Sequence, residues 1–416
     1  MNSNSDTFSF YKTVTRLAGA NVAALAISSL ASIFLTRALG AEGRGIIAWI
    51  MSLAVILNAL TQVGMTHVNR RFVAEDNSRA GDLVLTTIIV CSIAAIIFVS
   101  AFMFYGFSQP LGQANKSALM TGLLLAPIWA ITECLGDMLL GLHKPKQYNF
   151  VILLQKIFNA ALIAIIVITG YATPLIAISA LAFSFILKFL FVAKSLHNNI
   201  DLTFHKEGVK WVFKHLKSFI YTNYASSVML LCSNAIIPIL LVKNGMVIEA
   251  GLYSAAMIII DAVYNVSRKL GMYAVPKLVS TKNIKQRNKL KINILLVNFA
   301  ALVSASLFFY FTASWLIPFL FGKDFIDAVR VFQILAIGMT FVSVYYTLYS
   351  IISSEAKGLI IIIAPAILLL SNFSIASYLI PDNGAVGGAI AWASANLIAC
   401  IVAMIISVIV AKKVKL

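Results

Sequence analysis

Long, uninterrupted apolar runs recur from one end of this chain to the other, separated only by short polar stretches. A bilayer core about 30 Å thick is crossed by a helix of about 20 residues. Twelve such runs are legible, at about 14–36, 46–65, 83–104, 118–140, 150–169 and 174–193, then about 219–242, 251–275, 292–311, 328–352, 359–380 and 385–410. The runs are continuous rather than alternating, which selects helices over the strands of a membrane barrel. Composition agrees: 61% of residues are apolar, only 11% are charged, and mean hydropathy is +0.93. A water-soluble domain carries roughly 25% charged residues. The expected fold class is therefore an all-α polytopic membrane protein of about twelve spans, with loops too short to hold a soluble domain.

The longest polar interruption is the segment 200–217, IDLTFHKEGVKWVFKHLK, close to the midpoint. Val209, Val212, Phe213 and Leu216 follow helical spacing, with Lys206, Lys210, Lys214 and Lys217 on the other side. Two readings stay open: a helix on the membrane surface with Trp211 near its boundary, or a solvated linker. Either way it joins an N-terminal half, 1–199, to a C-terminal half, 218–416, each with six spans. Parallel halves follow from the even number of spans in each. Internal similarity is faint. LTRALGAEGRG (35–45) after the first span and LLVKNGMVIEAG (240–251) after the seventh are both Gly-rich turns leading into a helix.

The net charge of +17 has a membrane explanation. Sorted onto alternate sides of twelve spans, 22 of the 32 Lys and Arg fall on one side and six on the other; four more lie within spans. Lys and Arg accumulate in cytoplasmic loops, so both termini and the central segment are expected in the cytoplasm. No aromatic-basic pattern argues for nucleic acid. The four cysteines lie singly in apolar runs and the five histidines in polar loops, without metal-ligand spacing. No metal or cofactor is expected. The first apolar run is too long for a signal peptide and reads as a span. No Gly-rich phosphate loop and no nucleophile–base constellation suggests an enzyme.

Ionisable residues inside the spans are the candidate functional groups, because charge in hydrocarbon is costly and usually faces a cavity or a partner. Glu133 and Asp137 share a face of the fourth span, Lys156 and Lys188 lie in the fifth and sixth, and the eighth carries Asp261, Asn265 and Arg268 at i, i+4, i+7. Each has a structural alternative: Lys156 pairing with Glu133 or Asp137 across the 4–5 turn, and Lys188 or Arg268 reaching the headgroup level. Asp261, near mid-depth, is the hardest to explain structurally. Asn21 and three serines in the first span, Asn58 and Gln62 in the second, and Asn223, Ser233 and Asn234 in the seventh either hold helices together or line a wet path. Pro238 is placed to kink the seventh span.

Several stretches, taken in order, resemble the polysaccharide-export branch of the multidrug/oligosaccharidyl-lipid/polysaccharide (MOP) exporter superfamily, and most closely the Wzx-type O-antigen flippases. They are FLTRALGAEGRGIIAW (34–49), LGLHKPKQYN (140–149), GLYSAAMIIIDAVYNVSRKLGMYAVPKLVS (251–280), PFLFGKDFIDAVRVFQIL (318–335) and IPDNGAVGGAIAWASAN (380–396). The resemblance implies a MATE/MOP-like fold in the bacterial cytoplasmic (inner) membrane. It further implies translocation of an undecaprenyl-diphosphate-linked oligosaccharide, coupled to ions, beside a polysaccharide polymerase and chain-length machinery. Under it, Arg268, Lys156, Lys188, Arg16 and Asn21 become candidates for substrate binding. Asp261, then Glu133 and Asp137, become candidates for ion coupling. A MATE-like cation or drug exporter is the alternative, and a membrane polysaccharide polymerase a weaker one.

Overall fold

Apolar helices of this kind satisfy their own backbone, which is the condition for crossing hydrocarbon. The computed structural model describes residues 3–107, 112–200, 209–213, 224–280, 284–355 and 358–413. Of these, the side chains of 3–22, 107, 113–114, 266–280, 284–285, 288, 354–355 and 411–413 are not described. The helices are α1 (Ser3–Gln62), α2 (Met65–Glu75), α3 (Ala80–Phe107), α4 (Gln113–Gly141), α5 (Pro145–Thr169), α6 (Pro174–His197), α7 (Ala225–Lys243), α8 (Val247–Ser280), α9 (Ile284–Phe321), α10 (Ala328–Glu355) and α11 (Ile360–Lys413).

Ten of these are long and apolar enough to cross a membrane. Two exceed any single pass: Ala23–Gln62 has 40 apolar-span residues and Ile360–Val410 has 51, against the roughly 20 that one pass needs. Each is broken at one glycine, Gly40 (φ 69°) in α1 and Gly384 (φ 51°) in α11. Two bent helices and eight others give the twelve spans the apolar runs suggested. The outward faces remain apolar, with Ile96, Phe104, Ile168, Phe311 and Tyr378 at 70–83% exposure. Such surface suits lipid rather than water.

The chain forms two compact units. The first is Met1–Leu35 with Leu57–Ile220; the second is Thr36–Ile56 with Tyr221–Leu416. In the first, α4 packs against α2, α3 and α6, and α5 against α6. Helix α2 is a correction to the sequence reading, which left residues 66–82 as a loop. Met65, Val68, Asn69, Phe72 and Val73 are buried at helical spacing, while Arg71 turns outward to pair with Glu75 at 2.7 Å. Its core is shared with Leu83, Cys134, Leu135, Met138, Val192 and Leu196.

The segment 209–213 is helical and belongs to this core: Val212 is fully buried. Trp211 packs against this core. Its ring meets the Phe72 ring at 4.7 Å, and the Arg79 guanidinium lies 4.4 Å above it. Lys206, Lys214, Leu216 and Lys217 lie outside the described residues. Arg79 also pairs with Asp76 at 3.1 Å. The Ser78 hydroxyl and amide, with Arg79, hold the Asp76 carboxyl below the usual carboxylate range.

In the second unit, α10 packs against α8, α9 and α11, and α11 also packs on α7. Its largest buried side chains include Trp49, Phe321, Phe325, Phe332, Tyr345 and Trp392. Helix α7 continues through Pro238 rather than ending there, as neighbouring helices allow in membranes. At the break in α11, Glu249 at the start of α8 accepts the Ala385 N–H at 2.9 Å and so caps the second arm. Gly384 lies so close that an added Cβ would sit 2.9 Å from the same carboxylate oxygen.

Most consequential is the crossing of the second arm of α1 with α8. A Cβ on Gly45 would collide with the Val247 carbonyl oxygen, and one on Gly251 with the Ala41 carbonyl oxygen. Each glycine meets the carbonyl of the residue four before the other glycine, so the contact is reciprocal and brings backbone against backbone.

Candidate functional site

The reciprocal glycine contact sets what lies one turn further along each helix. Because α1 resumes immediately after Gly40, Arg44 is a helical residue, not a member of the 37–45 loop expected from sequence. Its Nε donates to Ser254 Oγ at 3.0 Å, and Ser254 in turn donates to the Gly251 carbonyl at 3.1 Å. A guanidinium has five N–H donors in a fixed fork, and Nε is the one that meets Ser254. Asp261, two turns along α8, interacts electrostatically with Arg44.

These residues line a cavity of about 310 Å³ inside the second unit, at the small end of ligand-binding pockets. Ser52, Asn234, Tyr253 and Tyr264 add polar atoms; Ala48, Met51, Val55, Pro238, Met257 and Ile258 supply apolar wall. Tyr264 stacks on Tyr346, with ring planes within 5° and centroids 6.2 Å apart. Tyr253 is 2% exposed and its hydroxyl has no hydrogen-bond partner among the described residues. Leaving such a group unsatisfied costs about 1–3 kcal/mol, which a water or a polar ligand in the cavity would recover.

The first unit treats its charges differently. Asp137, 6% exposed, is ion-paired with Arg70 of α2, and Tyr148 also bonds to it. Of the alternatives open for Lys156, the structure shows this contact: Lys156 Nζ donates to Ser28 Oγ at 2.9 Å, and Ser28 to the Ala24 carbonyl at 2.9 Å. Glu133 accepts from Trp129 Nε1 at 2.8 Å and from Gln62 Nε2 at 3.4 Å. Gln62 extends the chain to Asn58 at 3.2 Å and receives Thr66 at 2.6 Å. Trp129 leans on Phe185, whose ring carries the Lys188 ammonium 5.6 Å from its centroid. The ion pairs among the described residues are Arg70–Asp137, Arg71–Glu75 and Arg79–Asp76; the donors on Glu133 are neutral.

Of the candidates from sequence, Asp261 lies in the cavity of the second unit. Lys156, Lys188, Glu133 and Asp137 lie in the first unit, and the side chains of Arg16, Asn21 and Arg268 lie outside the described residues. Sequence reasoning missed Arg44, Ser254 and Tyr253. The available signal was the spacing of Arg44, Ala48, Met51, Ser52 and Val55 along one helical face. Among the described residues no cluster of three His, Cys, Asp or Glu could hold a metal ion.

No protein-family model matches the chain, and no curated protein matches its sequence. Solved structures do match in fold. The lipid II flippase MurJ in an inward closed conformation is 14% identical, with TM-score 0.75 over 94% of this chain and 87% of that one. An inward-facing multidrug resistance MATE family transporter of the MOP superfamily is 16% identical, with TM-score 0.72 over 94% of this chain and 95% of that one. A MOP superfamily transporter from Pyrococcus furiosus, described as having a binding pocket of reverse polarity, is 14% identical, with TM-score 0.64 over 97% and 96%. At these identities the likeness is one of fold, and the fold is the all-helical MATE/MOP transporter fold.

Proposed function

We propose that this chain is a flippase for a lipid-linked saccharide. Its cargo is an undecaprenyl-diphosphate-linked oligosaccharide, an O-antigen or related repeat unit, moved from the cytoplasmic to the outer face of a bacterial inner membrane. The observation that carries this reading is the polar cavity around Arg44, Ser254, Asp261 and the unpartnered Tyr253 hydroxyl, built into an otherwise apolar unit. A saccharide has the matching chemistry. Its hydroxyls cost roughly 1 to several kcal/mol each if moved unpaired into hydrocarbon, so they need such a lining. The Tyr264 ring offers a flat apolar face for a sugar's C–H side. The polyprenyl tail gains about 0.8 kcal/mol per CH₂ in lipid and stays there. The diphosphate calls for Arg and Lys donors; Arg44 joins Lys156, Lys188, Arg268 and Arg16 as candidates, with Asn21 as a polar neighbour. MurJ, a lipid II flippase, lends the same fold to a lipid-linked cargo.

Coupling is assigned to Glu133 and Asp261, with Asp137 set aside by its ion pair. Glu133 is held by the neutral donors Trp129 and Gln62. Outward movement of each negative charge is favoured by about 2.3 kcal/mol per 100 mV. No catalytic role is assigned to any residue, and a polysaccharide polymerase would act on the flipped product as a partner.

The test is reconstitution in proteoliposomes with a lipid-linked oligosaccharide whose sugar carries a fluorophore that a membrane-impermeant reductant can bleach. Protein-containing vesicles should expose the label faster than empty ones, and Arg44→Ala should slow this on the order of tenfold. Equal rates with and without protein would remove the flippase reading. One observation favours a cation exporter instead: a carboxylate, Asp261, beside a stacked tyrosine pair suits an organic cation. Resistance of expressing cells to toxic quaternary cations, with no glycolipid movement, would decide for it.

A further inference from the structure

A second cavity, of about 450 Å³, lies in the first unit where the start of α5 meets the end of α6. Its lining divides into two chemistries. Phe150, Val151 and Phe191 form an apolar floor, with the two rings edge to face at 6.4 Å. Lys146, Gln147, Lys194, Ser195 and Asn198 form the polar remainder, and no carboxylate is among the lining residues. The two helix ends are braced: Asn199 Nδ2 donates to Gln147 Oε1 at 3.2 Å and to the Ser195 carbonyl at 2.6 Å. Helix α5 starts with Pro145 at its first turn and has no side-chain cap, so its partial positive charge adds to the lysines.

We propose that this groove binds the phosphate headgroup of an anionic phospholipid, with the first acyl carbons lying on the Phe150–Phe191 floor. The mixed lining selects among occupants. A free phosphate has no use for the aromatic floor, and Phe150, 57% exposed, already faces the surroundings. A bare acyl chain has no use for two ammonium groups. A zwitterionic headgroup carries its own ammonium toward Lys146 and Lys194, where like charges repel. An anionic headgroup satisfies both lysines, and lysine stems add to the apolar wall. In the sequence reading both Lys146 and Lys194 fall on the side that receives 22 of the 32 Lys and Arg. That is the expected cytoplasmic side, where anionic lipid concentrates. This site is separate from the cavity around Arg44 and Asp261 and holds whether or not a saccharide is the transported cargo.

Native mass spectrometry of the purified full chain in detergent, titrated with phosphatidylglycerol or phosphatidylcholine, tests it. Wild-type protein should retain phosphatidylglycerol several times better than phosphatidylcholine. At about fivefold per lysine, Lys146→Gln with Lys194→Gln should weaken phosphatidylglycerol about twenty-five-fold and leave phosphatidylcholine unchanged. Undiminished phosphatidylglycerol retention in the double variant overturns the proposal, as does its displacement by millimolar inorganic phosphate. A second measurement stands if the double variant fails to fold. In Phe150→Trp, phosphatidylglycerol with brominated acyl chains should quench the indole more than brominated phosphatidylcholine; equal quenching overturns the site.

Discussion

The two units carry intramembrane charge in opposite ways. In the first, Asp137 is locked to Arg70, Lys156 to Ser28, and Glu133 is gripped by Trp129 and Gln62. In the second, Arg44 and Asp261 face a cavity, and beside them a tyrosine hydroxyl has no hydrogen-bond partner among the described residues. A fixed partner stabilises one conformation. An incompletely satisfied polar pocket is stabilised by whatever enters it. The contrast teaches that a charged residue inside a span is not by itself a site: what separates the two is whether its polar neighbours enclose it or leave a cavity beside it.

The strongest way to break the comparison is to remove the scaffold that forms the second unit's cavity. Leucine at Gly45 or Gly251 must push α1 and α8 apart, because each Cβ position is already occupied by the other helix's carbonyl oxygen. The expected cost is about 3 kcal/mol or more, given that overpacking alone costs about 1–3 kcal/mol. Thermal melting of the detergent-solubilised protein would show it. Because either substitution opens the same gap, the double variant should cost clearly less than the sum of the singles. Additive losses would mean that the two glycines do not share one contact.

Next in size is the Arg70–Asp137 pair. Arg70→Ala leaves a buried carboxylate without its cation, at about 2–3 kcal/mol once the half-exposed position of Arg70 is allowed for. Adding Asp137→Asn should restore most of the loss, since the uncompensated charge is then gone. If the second change restores nothing, the pair is not what holds α2 to α4.

Here the limits of reading from sequence become physical. Depth along a span follows from counting residues, so the twelve passes, the turns near Gly40 and Gly384, and the presence of Asp261 within a span were all legible. Azimuth and partner are not. Glu133 and Asp137 share a face by spacing, yet Lys156 turns to Ser28 and Arg70 reaches Asp137 from a helix that looked like a basic loop. Arg44 was hidden by a related assumption. A Gly-rich stretch reads as a loop, and a loop arginine reads as an orientation signal, whereas a single glycine makes the whole turn here. Tyr253 could not be found at all, because an orphaned hydroxyl is defined by the neighbours it lacks.

Smaller again, and on transport rather than stability, are the two carboxylates proposed for coupling. Asp261→Asn should leave the melting temperature nearly unchanged while slowing flipping on the order of tenfold. Glu133→Gln keeps its place against Trp129 and Gln62 but cannot take part in proton exchange. It should flip substrate down a concentration gradient at a near-normal rate while losing acceleration by an imposed proton gradient. Proteoliposomes with and without that gradient read both outcomes, and an unchanged response in Glu133→Gln moves coupling elsewhere.

Tyr253→Phe gives the finest distinction between the units. Were the hydroxyl an ordinary structural group, removing it would cost about 1 kcal/mol of stability through a lost hydrogen bond. It has no such bond among the described residues, so its removal should leave the melting temperature unchanged or raise it slightly. If the hydroxyl instead serves whatever polar ligand occupies the cavity, its loss should appear as a severalfold rise in the substrate concentration needed for half-maximal flipping, with the maximal rate preserved. A variant that loses stability would mean that the hydroxyl's partner is structural. A variant unchanged in both respects would place the saccharide's hydroxyls against Ser52, Asn234 and Asp261 and leave the tyrosine as part of the wall.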